Sequence, residues 1–487
     1  MSYDVRLDLE GDESYSHSIA HLVLKAHWRL GMTDEHDAVA DVGRAQITFR
    51  NWGNAPLEAW LGVRLRIFYG TQVLFTGLVA SLAPTAGALG AREATLVAHD
   101  RMAELEAWQV RLPVQVNARA DDVLNALLRR MSLRPVPYKG YWRVRRGALG
   151  RDTRLRFPPQ TSFDVGRVRF AYVGDTWGEG VSARSAIAEV VSAEGGRFFV
   201  TREGVLRFAN RHDGVNAPPA VTLNDDMHAL ELAHERPYNA VSVRYAPRKI
   251  GTPATPIWVS EDVLACPPLA MREVALTWRD AQDAQIGALD VLPLRPQLDY
   301  RVTTRPDPYG RDVTSAVEVR LRDVSASGAT LWLCNPLSQH AYIHNLRAYG
   351  TPITAHDAQT ITAHAYDGIA LDGLTVWRRD LPALNAPEQA DIIARYTLKR
   401  LRASPTHVVR VTPAQAHIIR THTLGDTVRL VLAHPPHDAH YRIIGEEHTL
   451  ADAATTHRAT WTLARAHSSH YWRLRASTLG TQTRLFY

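Results

Sequence analysis

Three short segments near the N-terminus of the chain have counterparts, in the same order, near its C-terminus. The first match relates Leu61-Gly62 and the alternating Val63, Leu65 and Ile67 to Leu424-Gly425 and Val428, Leu430 and Leu432; the second relates Phe75–Gly77 to Ile443–Gly445; the third relates Glu93–Leu96 to Arg458–Trp461. The separation between partners is nearly the same in all three matches. Single short strands often look alike by chance, but constant order and spacing over three elements indicate two copies of one domain.

Inside each copy, apolar and polar residues alternate. Ala45, Ile47 and Phe49 are separated by polar residues, and this period of two is typical of strands with one buried face. Gly70–Gln72 lies between two such runs and has the length of a hairpin loop. We therefore expect each copy to be an antiparallel, β-barrel-like domain.

Between the copies the pattern changes to helices and shorter strands. Leu124, Leu127 and Met131 mark the buried face of one helix, Ser182 and Gly195 are placed to cap a second, and Pro387 is placed to begin a third. The whole chain is therefore predicted to be mainly β with α+β modules.

At 487 residues the chain is too long for a single hydrophobic core, so we divide it into domains. The predicted divisions are 1–112, a first barrel-like domain; 113–235, an α+β module with an exposed insertion at about 134–180; 236–247 plus 355–467, a second barrel-like domain; 248–354, an inserted β-sandwich-like module; and 468–487, a C-terminal docking segment.

The composition excludes several classes of protein. Hydrophobic residues make up 45% and charged residues 22%, which is typical of a globular chain. A net charge of +6 from 56 basic and 50 acidic residues is too small an excess to predict a nucleic-acid groove. The two cysteines do not make a disulfide framework, and neither a signal-peptide pattern nor a bilayer-spanning stretch is present. We expect the chain to fold in a cytosol.

Several motifs resemble those of the tail hub family: the baseplate hub of contractile-tailed phages, the late control protein D proteins and the tail-associated proteins of siphophages. The segments that carry the resemblance are Leu74–Val79, Ala98–Leu105, Ser185–Val190, Gly195–Val200, Gly204–Phe208, Tyr238–Val243, Leu424–Asp426 and Tyr441–His448. Taken in order, these motifs extend over nearly the whole chain.

This resemblance implies duplicated tail-tube-type β-barrel domains with inserted α/β and β-sandwich modules. It further implies a homotrimer in the tail tip or baseplate of a virion, assembled in the host cytoplasm, that joins a sixfold tube to threefold components and provides a channel for DNA. The implied partners are the tail tube or a distal tail protein, a tape measure protein, and a separate tip fibre, spike or lytic protein. Tyr471–Leu474 is either a docking place for such a component or a last strand at the barrel edge.

Sequence motifs for chemistry are sparse. His434, His437 and His440, with Asp438 between them, are the best metal candidate, but a solvated hairpin tip explains them better. Arg143, Arg145, Arg146, Arg151, Arg154 and Arg156 suit a nucleic-acid-binding arm, although solvated strand faces and subunit contacts are commoner explanations. We expect no catalytic residue, no cofactor, no resident metal and no sequence-specific contact with DNA.

A glycan-binding or glycan-cleaving cell-surface protein is the alternative. Trp52, Trp60, Trp108, Trp142, Trp177, Trp258, Trp278 and Trp332 include possible sugar-stacking platforms, although tryptophan is more often core or interface. A cleft with paired carboxylates would favour this alternative. The duplication favours the structural hub.

Overall fold

The computed structural model describes residues 2–10, 13–51, 60–86, 92–133, 144–146, 152–154, 159–178, 180–215, 217–234, 237–402, 406–434, 436–452 and 455–466. These residues form a mainly β structure with a smaller number of helices, so the predicted fold class is confirmed. In these ranges no helix is both long and apolar enough to cross a lipid bilayer.

The first hundred residues form one antiparallel set of strands. They are β1 (Tyr3–Asp8), β2 (His17–Ser18), β3 (Val23–Gly31), β4 (Arg44–Arg50), β5 (Arg64–Tyr69), β6 (Gln72–Ala86) and β7 (Arg92–His99), with a 3₁₀ turn at Ala20–Leu22. Their order in the sheet is β3-β4-β7-β6-β5-β1-β2, and β5 with β6 forms the predicted hairpin. The alternating apolar residues of these strands face one core, in which Trp28, Ile47 and Leu96 are fully buried.

A helical module follows the first set of strands. Its elements are α1 (Arg101–Ala107), β8 (Gln115–Arg119), α2 (Ala120–Leu133), β9 (Val144–Arg146), β10 (Asp152–Arg154), β11 (Thr161–Phe163), β12 (Arg169–Val173), α3 (Ala183–Glu194), β13 (Arg197–Val200) and β14 (Leu206–Ala209). The predicted caps of α3 are confirmed, because the Ser182 side chain accepts a hydrogen bond from the N–H of Ser185 and Gly195 is left-handed at φ 73°. β13 and β14 form the hairpin expected after this helix.

The exposed insertion expected at 134–180 is less extensive than predicted. Within it, β11 pairs with β14, β12 pairs with β8, and the side chains of Phe170 and Trp177 are buried in the module. β9 and β10 pair with each other, whereas Arg143, Arg151 and Arg156 lie outside the described residues. The alternation of this stretch is irregular, so its pairing with β8 and β14 was not recognisable from the sequence.

Two strands, β15 (Val221–Leu223) and β16 (Met227–His234), precede β17 (Ala240–Tyr245). A separate body then interrupts the chain; it contains β18 (Arg248–Ile250), β19 (Thr255–Val259), β20 (Leu264–Cys266), β21 (Ala270–Thr277), β22 (Gly287–Leu289), β23 (Arg301–Thr303), β24 (Glu318–Arg322), β25 (Gly328–Asn335), β26 (Ala341–His344) and β27 (Arg347–Ala355), with a 3₁₀ turn at Thr314–Ala316. Its small sheets surround a core of their own around Trp278 and Leu331.

The chain then returns through β28 (Gln359–His364), α4 (Tyr366–Asp372), β29 (Val376–Asp380) and α5 (Pro387–Arg402), and ends in β30 (Thr406–Pro413), α6 (Ala416–Thr421), β31 (Thr427–Leu432), β32 (His437–Ala451) and β33 (Thr456–Arg465). The helix predicted to begin at Pro387 is therefore confirmed. The last strands pair in the order β16-β30-β33-β32-β31.

The second barrel-like set of strands differs from its predicted limits. β15 and β16, which lie before residue 236, pair with β31 and β30. β17, which was assigned to that barrel, instead pairs with β28 and β29, and its Val241 and Val243 are buried with α5 in the core of the helical module. Both partners of β17 lie more than a hundred residues along the chain, so local sequence could not place it.

The predicted internal repeat is present in the strand order. The first copy, β3-β4-β7-β6-β5, corresponds strand for strand to the second copy, β16-β30-β33-β32-β31, and every neighbouring pair is antiparallel. β1 lies antiparallel to β5, whereas β15 lies parallel to β31, so the repeat ends at these strands.

Hydrogen bonds fix the register of the repeat. Gly62 donates to the carbonyl of Val79 and Gly425 to that of Ile443, both at 2.8 Å, and both glycines are left-handed, with φ of 75° and 95°. Val79 is therefore the counterpart of Ile443, and the predicted match of Phe75–Gly77 to Ile443–Gly445 is wrong by four residues. The shared glycine suggested the wrong register, because Gly445 corresponds to Ser81.

Candidate functional site

The two copies meet where β3 of the first pairs with β32 of the second. Six residue pairs, from Ala26 with Leu450 to Gly31 with Gly445, join the copies into one continuous sheet. Gly31 has φ 88°, and a Cβ there would clash with the carbonyl oxygen of Ile444. Only glycine permits this approach without a shift of the backbone. We call this pairing, with the polar side chains beneath it, the junction.

An ion pair lies buried below the junction. Arg202, in the turn between β13 and β14, donates from Nε to a carboxylate oxygen of Glu446 on β32 at 2.8 Å; 4% of the Arg202 side chain and none of the Glu446 side chain are exposed. The remaining Arg202 donors reach the carbonyls of Ile419, Arg420 and His422 at 2.7 to 3.0 Å. These carbonyls lie at the C-terminal end of α6, where a cation is favourable. The helical module is thus attached to the second copy.

A chain of hydrogen bonds continues from Glu446 to the first copy. His448 Nε2 lies 2.9 Å from Glu446 Oε2, His448 Nδ1 lies 3.1 Å from His457 Nε2, and His457 Nδ1 lies 2.7 Å from the Tyr3 hydroxyl. Because an ionised carboxylate only accepts, His448 donates to Glu446, His457 donates to His448, and Tyr3 donates to His457. This order satisfies both imidazoles in their neutral forms.

The charge states follow from the surroundings. Burial alone would raise the pKa of the Glu446 carboxyl, but the Arg202 guanidinium and His448 outweigh burial and lower it to about 2. Burial lowers the pKa of both imidazoles, that of His457 to about 3. At pH 7 the junction therefore contains an ionised glutamate paired with arginine, and two neutral histidines.

The opposite face of the same sheet is polar and exposed. His27 and Arg29 on β3 alternate with buried Trp28, and His27 Nε2 lies 2.8 Å from an oxygen of Glu447. Together with Arg44 and Arg410 these side chains line a cleft of about 530 Å³ that crosses the junction. A continuous sheet with one apolar face against the protein core and one charged face toward solvent can form the wall of a larger closed structure.

Four described carboxylates have pKa values raised by burial, and each one has a structural partner. Asp37 accepts from the N–H of Asp34 at 3.1 Å. Asp100, whose pKa is raised to about 7, caps α1 by accepting from the N–H of Met102 at 3.0 Å. Glu189, whose pKa is also raised to about 7, accepts from Trp177 Nε1 at 3.1 Å. Glu194 accepts from the N–H groups of Arg167 and Val168. Their hydrogen bonds fix helices and loops.

The histidine group predicted as the metal candidate is dispersed: His434 lies in the turn after β31, and His437, Asp438 and His440 lie along β32. His437 lies 2.8 Å from the hydroxyl of Tyr441, and Asp438 is held by Arg429 at 2.6 and 2.8 Å. His434 and His440 are exposed. Across the described part of the chain, no group of three or more His, Cys, Asp or Glu side chains is arranged to hold a metal ion.

The tryptophans of the glycan alternative are mostly structural. Trp60, Trp177 and Trp278 are buried, and Trp332 lies under the guanidinium of Arg322 at 3.8 Å. Trp52, Trp142 and the segment Tyr471–Leu474 lie outside the described residues. The Arg202–Glu446 pair could not be predicted from the sequence. The two residues are 244 positions apart, and local patterns do not show which distant segments meet.

Two solved structures share this fold over their whole length. A tail protein from Neisseria meningitidis is 9% identical, with a TM-score of 0.51, and the match covers 96% of this chain and 97% of that one. A prophage tail protein from Shewanella oneidensis is also 9% identical, with a TM-score of 0.51 and coverage of 96% and 98%. No family model and no curated protein sequence matches the chain. The expected relationship to phage tail proteins is confirmed at the level of fold.

Proposed function

We propose that this chain, which has the fold of phage tail proteins, is a structural hub of a phage tail tip or baseplate. The observation that carries the proposal is the junction: two copies of a five-stranded unit are joined edge to edge in one sheet. Further copies can extend such a sheet at its outer strands. Full-length agreement with two tail proteins supports this proposal over a coincidental likeness of one domain.

The proposed assembly is a homotrimer. Three chains with two copies each supply six similar units, which match a sixfold tail tube, while the inserted body at 248–355 keeps threefold symmetry. The charged face of the sheet is proposed to line the channel, through which DNA passes without sequence-specific contacts. The proposed neighbours are the tail tube or a distal tail protein, the tape measure protein, and a separate tip fibre, spike or lytic protein.

The proposed role is not enzymatic. The carboxylates with the most raised pKa values, Asp100 and Glu189, hold a helix terminus and an indole ring. The functional requirement is instead a rigid wall, and the buried Arg202–Glu446 pair and the histidine chain lie below the junction and hold its elements together. We propose the virion tail as the location, after assembly in the host cytoplasm.

The test is the mass and shape of the purified full chain. Light scattering is expected to give three 54.3 kDa subunits, and negative-stain images to show a ring with an open centre. A concentration series up to about 100 μM covers the range of weak association, because ring closure depends on subunit concentration. A chain that stays monomeric throughout the series would contradict the trimer.

A further inference from the structure

We infer that strand β16 of one subunit pairs with the second half of β6 of the next subunit, in the register that β3 and β32 use inside the chain. The inference rests on the proposed function and adds the contact that closes the ring. A second copy of this chain is the partner.

The first step is the equivalence of the two strands to those at the junction. β3 pairs with β4, and β16 with β30, the counterpart of β4, and each carries an irregularity near its start, at Val23/Lys25 and Met227/Ala229. β6 and β32 carry the same irregularity as each other, at Val79/Ser81 and Ile443/Gly445. The equivalence therefore extends to individual residues.

The second step is that neither edge has a strand partner among the residues that the structure describes. β32 has β31 along its first half, β3 along its second half, and β33 on its other side. β6 has β5 along its first half and β7 on its other side, but among the described residues no strand occupies the place that corresponds to β3. β16 pairs on one side with β30 and ends the sheet on the other. Open edges of this kind pair readily with another chain.

The third step is the register. Leu96 and Trp461 are equivalent positions in the two copies. Ile47 pairs with Leu96 and Val411 with Trp461, so Ile47 corresponds to Val411. Ala26 of β3 pairs with Ile47 and Leu230 of β16 with Val411, so Ala26 corresponds to Leu230. Leu82 also pairs with Leu96, and Glu446 with Trp461, so Leu82 corresponds to Glu446. Four of the six junction pairs then translate into Leu230 with Ala86, Glu231 with Thr85, Leu232 with Pro84, and Ala233 with Ala83; the equivalence stops at Ala233, where β16 has a second irregularity.

The residues brought together in this register are compatible. Leu232 would lie against Pro84, where the junction has Trp28 against His448, so the core side of the contact is apolar at this pair. Leu230 and Leu232 already pack at the edge of the barrel core. On the channel side, Ala233 and Ala83 would stand in the place of Arg29 and Glu447, without a like-charge conflict.

Pro84 fits the edge assigned to it. Met32 donates to Ile444 at 2.7 Å, so hydrogen-bonded pairs alternate along the junction and include Trp28 with His448. Pro84 occupies the position of His448, so its missing N–H faces the open edge and leaves the ladder with β7 intact. It can still accept from Leu232. One lost bond also makes uncontrolled pairing of this edge weaker.

The test is a disulfide between subunits. Arg29 and Glu447 form a close, non-hydrogen-bonded pair, so their counterparts Ala233 and Ala83 should have Cα atoms about 4.5 to 5.5 Å apart, within reach of a disulfide. In a Cys334→Ser background, the double variant Ala83→Cys/Ala233→Cys is expected to give covalent dimers and trimers on a non-reducing gel after mild oxidation.

Two matched controls accompany it. Arg29→Cys/Glu447→Cys places the same pair within one chain and should give a compact monomer. Ala83→Cys/Ala229→Cys moves one cysteine about 13 Å along the strand and should not cross-link. In addition, Leu232→Pro removes the donor that faces the neighbour and should abolish the ring. Because Leu232 also packs against the barrel core, Leu232→Ala, which loses the same packing but keeps the donor, is its matched control and should retain the ring.

The outcomes separate this inference from the proposed function. If the Ala83→Cys/Ala233→Cys variant forms rings without a disulfide between subunits, or if rings survive Leu232→Pro, other edges close the assembly and the hub role still stands. A chain that stays monomeric and forms no disulfide between subunits would overturn both.

Discussion

Trp28 of β3 lies stacked on His448 of β32, with ring centroids 4.9 Å apart and an angle of 5° between the planes. The two residues also pair across the junction. His448 is therefore enclosed by an indole on one side and by polar partners, Glu446 and His457, at its two nitrogens. The contact between the copies is thus a strand pairing over a buried polar cluster.

Breaking the buried ion pair should destabilise the protein strongly. Glu446→Gln or Arg202→Met leaves one buried charge without its partner, and a loss of about 3 to 5 kcal/mol is expected. Replacement of both, Arg202→Met/Glu446→Leu, should be less harmful than either single change. Urea unfolding followed by tryptophan fluorescence measures these effects. The exposed pair of Arg244 and Asp380 is the control, and Arg244→Ala should cost less than about 1 kcal/mol.

Acid should weaken the junction through its histidines. The pKa of His457 is about 3 in the folded chain, against an ordinary value of 6.5, so the unfolded chain binds more protons between these values. The free energy of unfolding therefore decreases as the pH falls below 6.5, by up to about 1.4 kcal/mol per pH unit. His457→Gln should flatten this loss between about pH 6.5 and 5.

The raised pKa values of Asp100 and Glu189 act in the opposite direction over part of this range. The measured quantity is therefore the difference in melting temperature between the variant and the natural chain at each pH. His356→Gln, at an exposed position, is the control. Parallel curves for the natural chain and His457→Gln would contradict the assignment.

Gly31 should be more sensitive to substitution than a glycine of the same backbone conformation in open space. Gly180 also has φ 88°, but no atom lies within 4 Å of the place of its Cβ. Gly180→Ala should cost about 1 to 2 kcal/mol for the left-handed backbone alone. Gly31→Ala adds the clash with Ile444 and should lower the melting temperature clearly further. Equal shifts in calorimetry would show that the junction tolerates a wider strand separation.

Asp100 should be replaceable by asparagine but not by alanine. Asp100→Asn keeps the oxygen that accepts from Met102 and removes the cost of burying a carboxylate, so its stability at pH 7 should equal or exceed that of the natural chain. Asp100→Ala removes the cap of α1 and should cost about 1 kcal/mol. Thermal unfolding of both variants decides this; a less stable Asp100→Asn would show that the carboxylate is needed in its charged form.

The local elements and the existence of a repeat could be predicted from the sequence. Alternation predicted the hairpin of β5 and β6, and the caps of α3 followed from Ser182 and Gly195, because strand faces and helix ends depend on neighbouring residues. The order of motifs along the chain also indicated the tail-protein fold, which the full-length matches confirm.

Which strands share a sheet could not be predicted in this way and became clear from the three-dimensional fold. β17 joined the helical module, β16 joined the second copy, and the counterpart of Ile443 proved to be Val79, because strand pairing depends on partners far along the chain. The junction cluster has the same origin. Arg202, Glu446 and Tyr3 come from distant segments, and folding alone removes them from water, which makes their charges and hydrogen bonds matter.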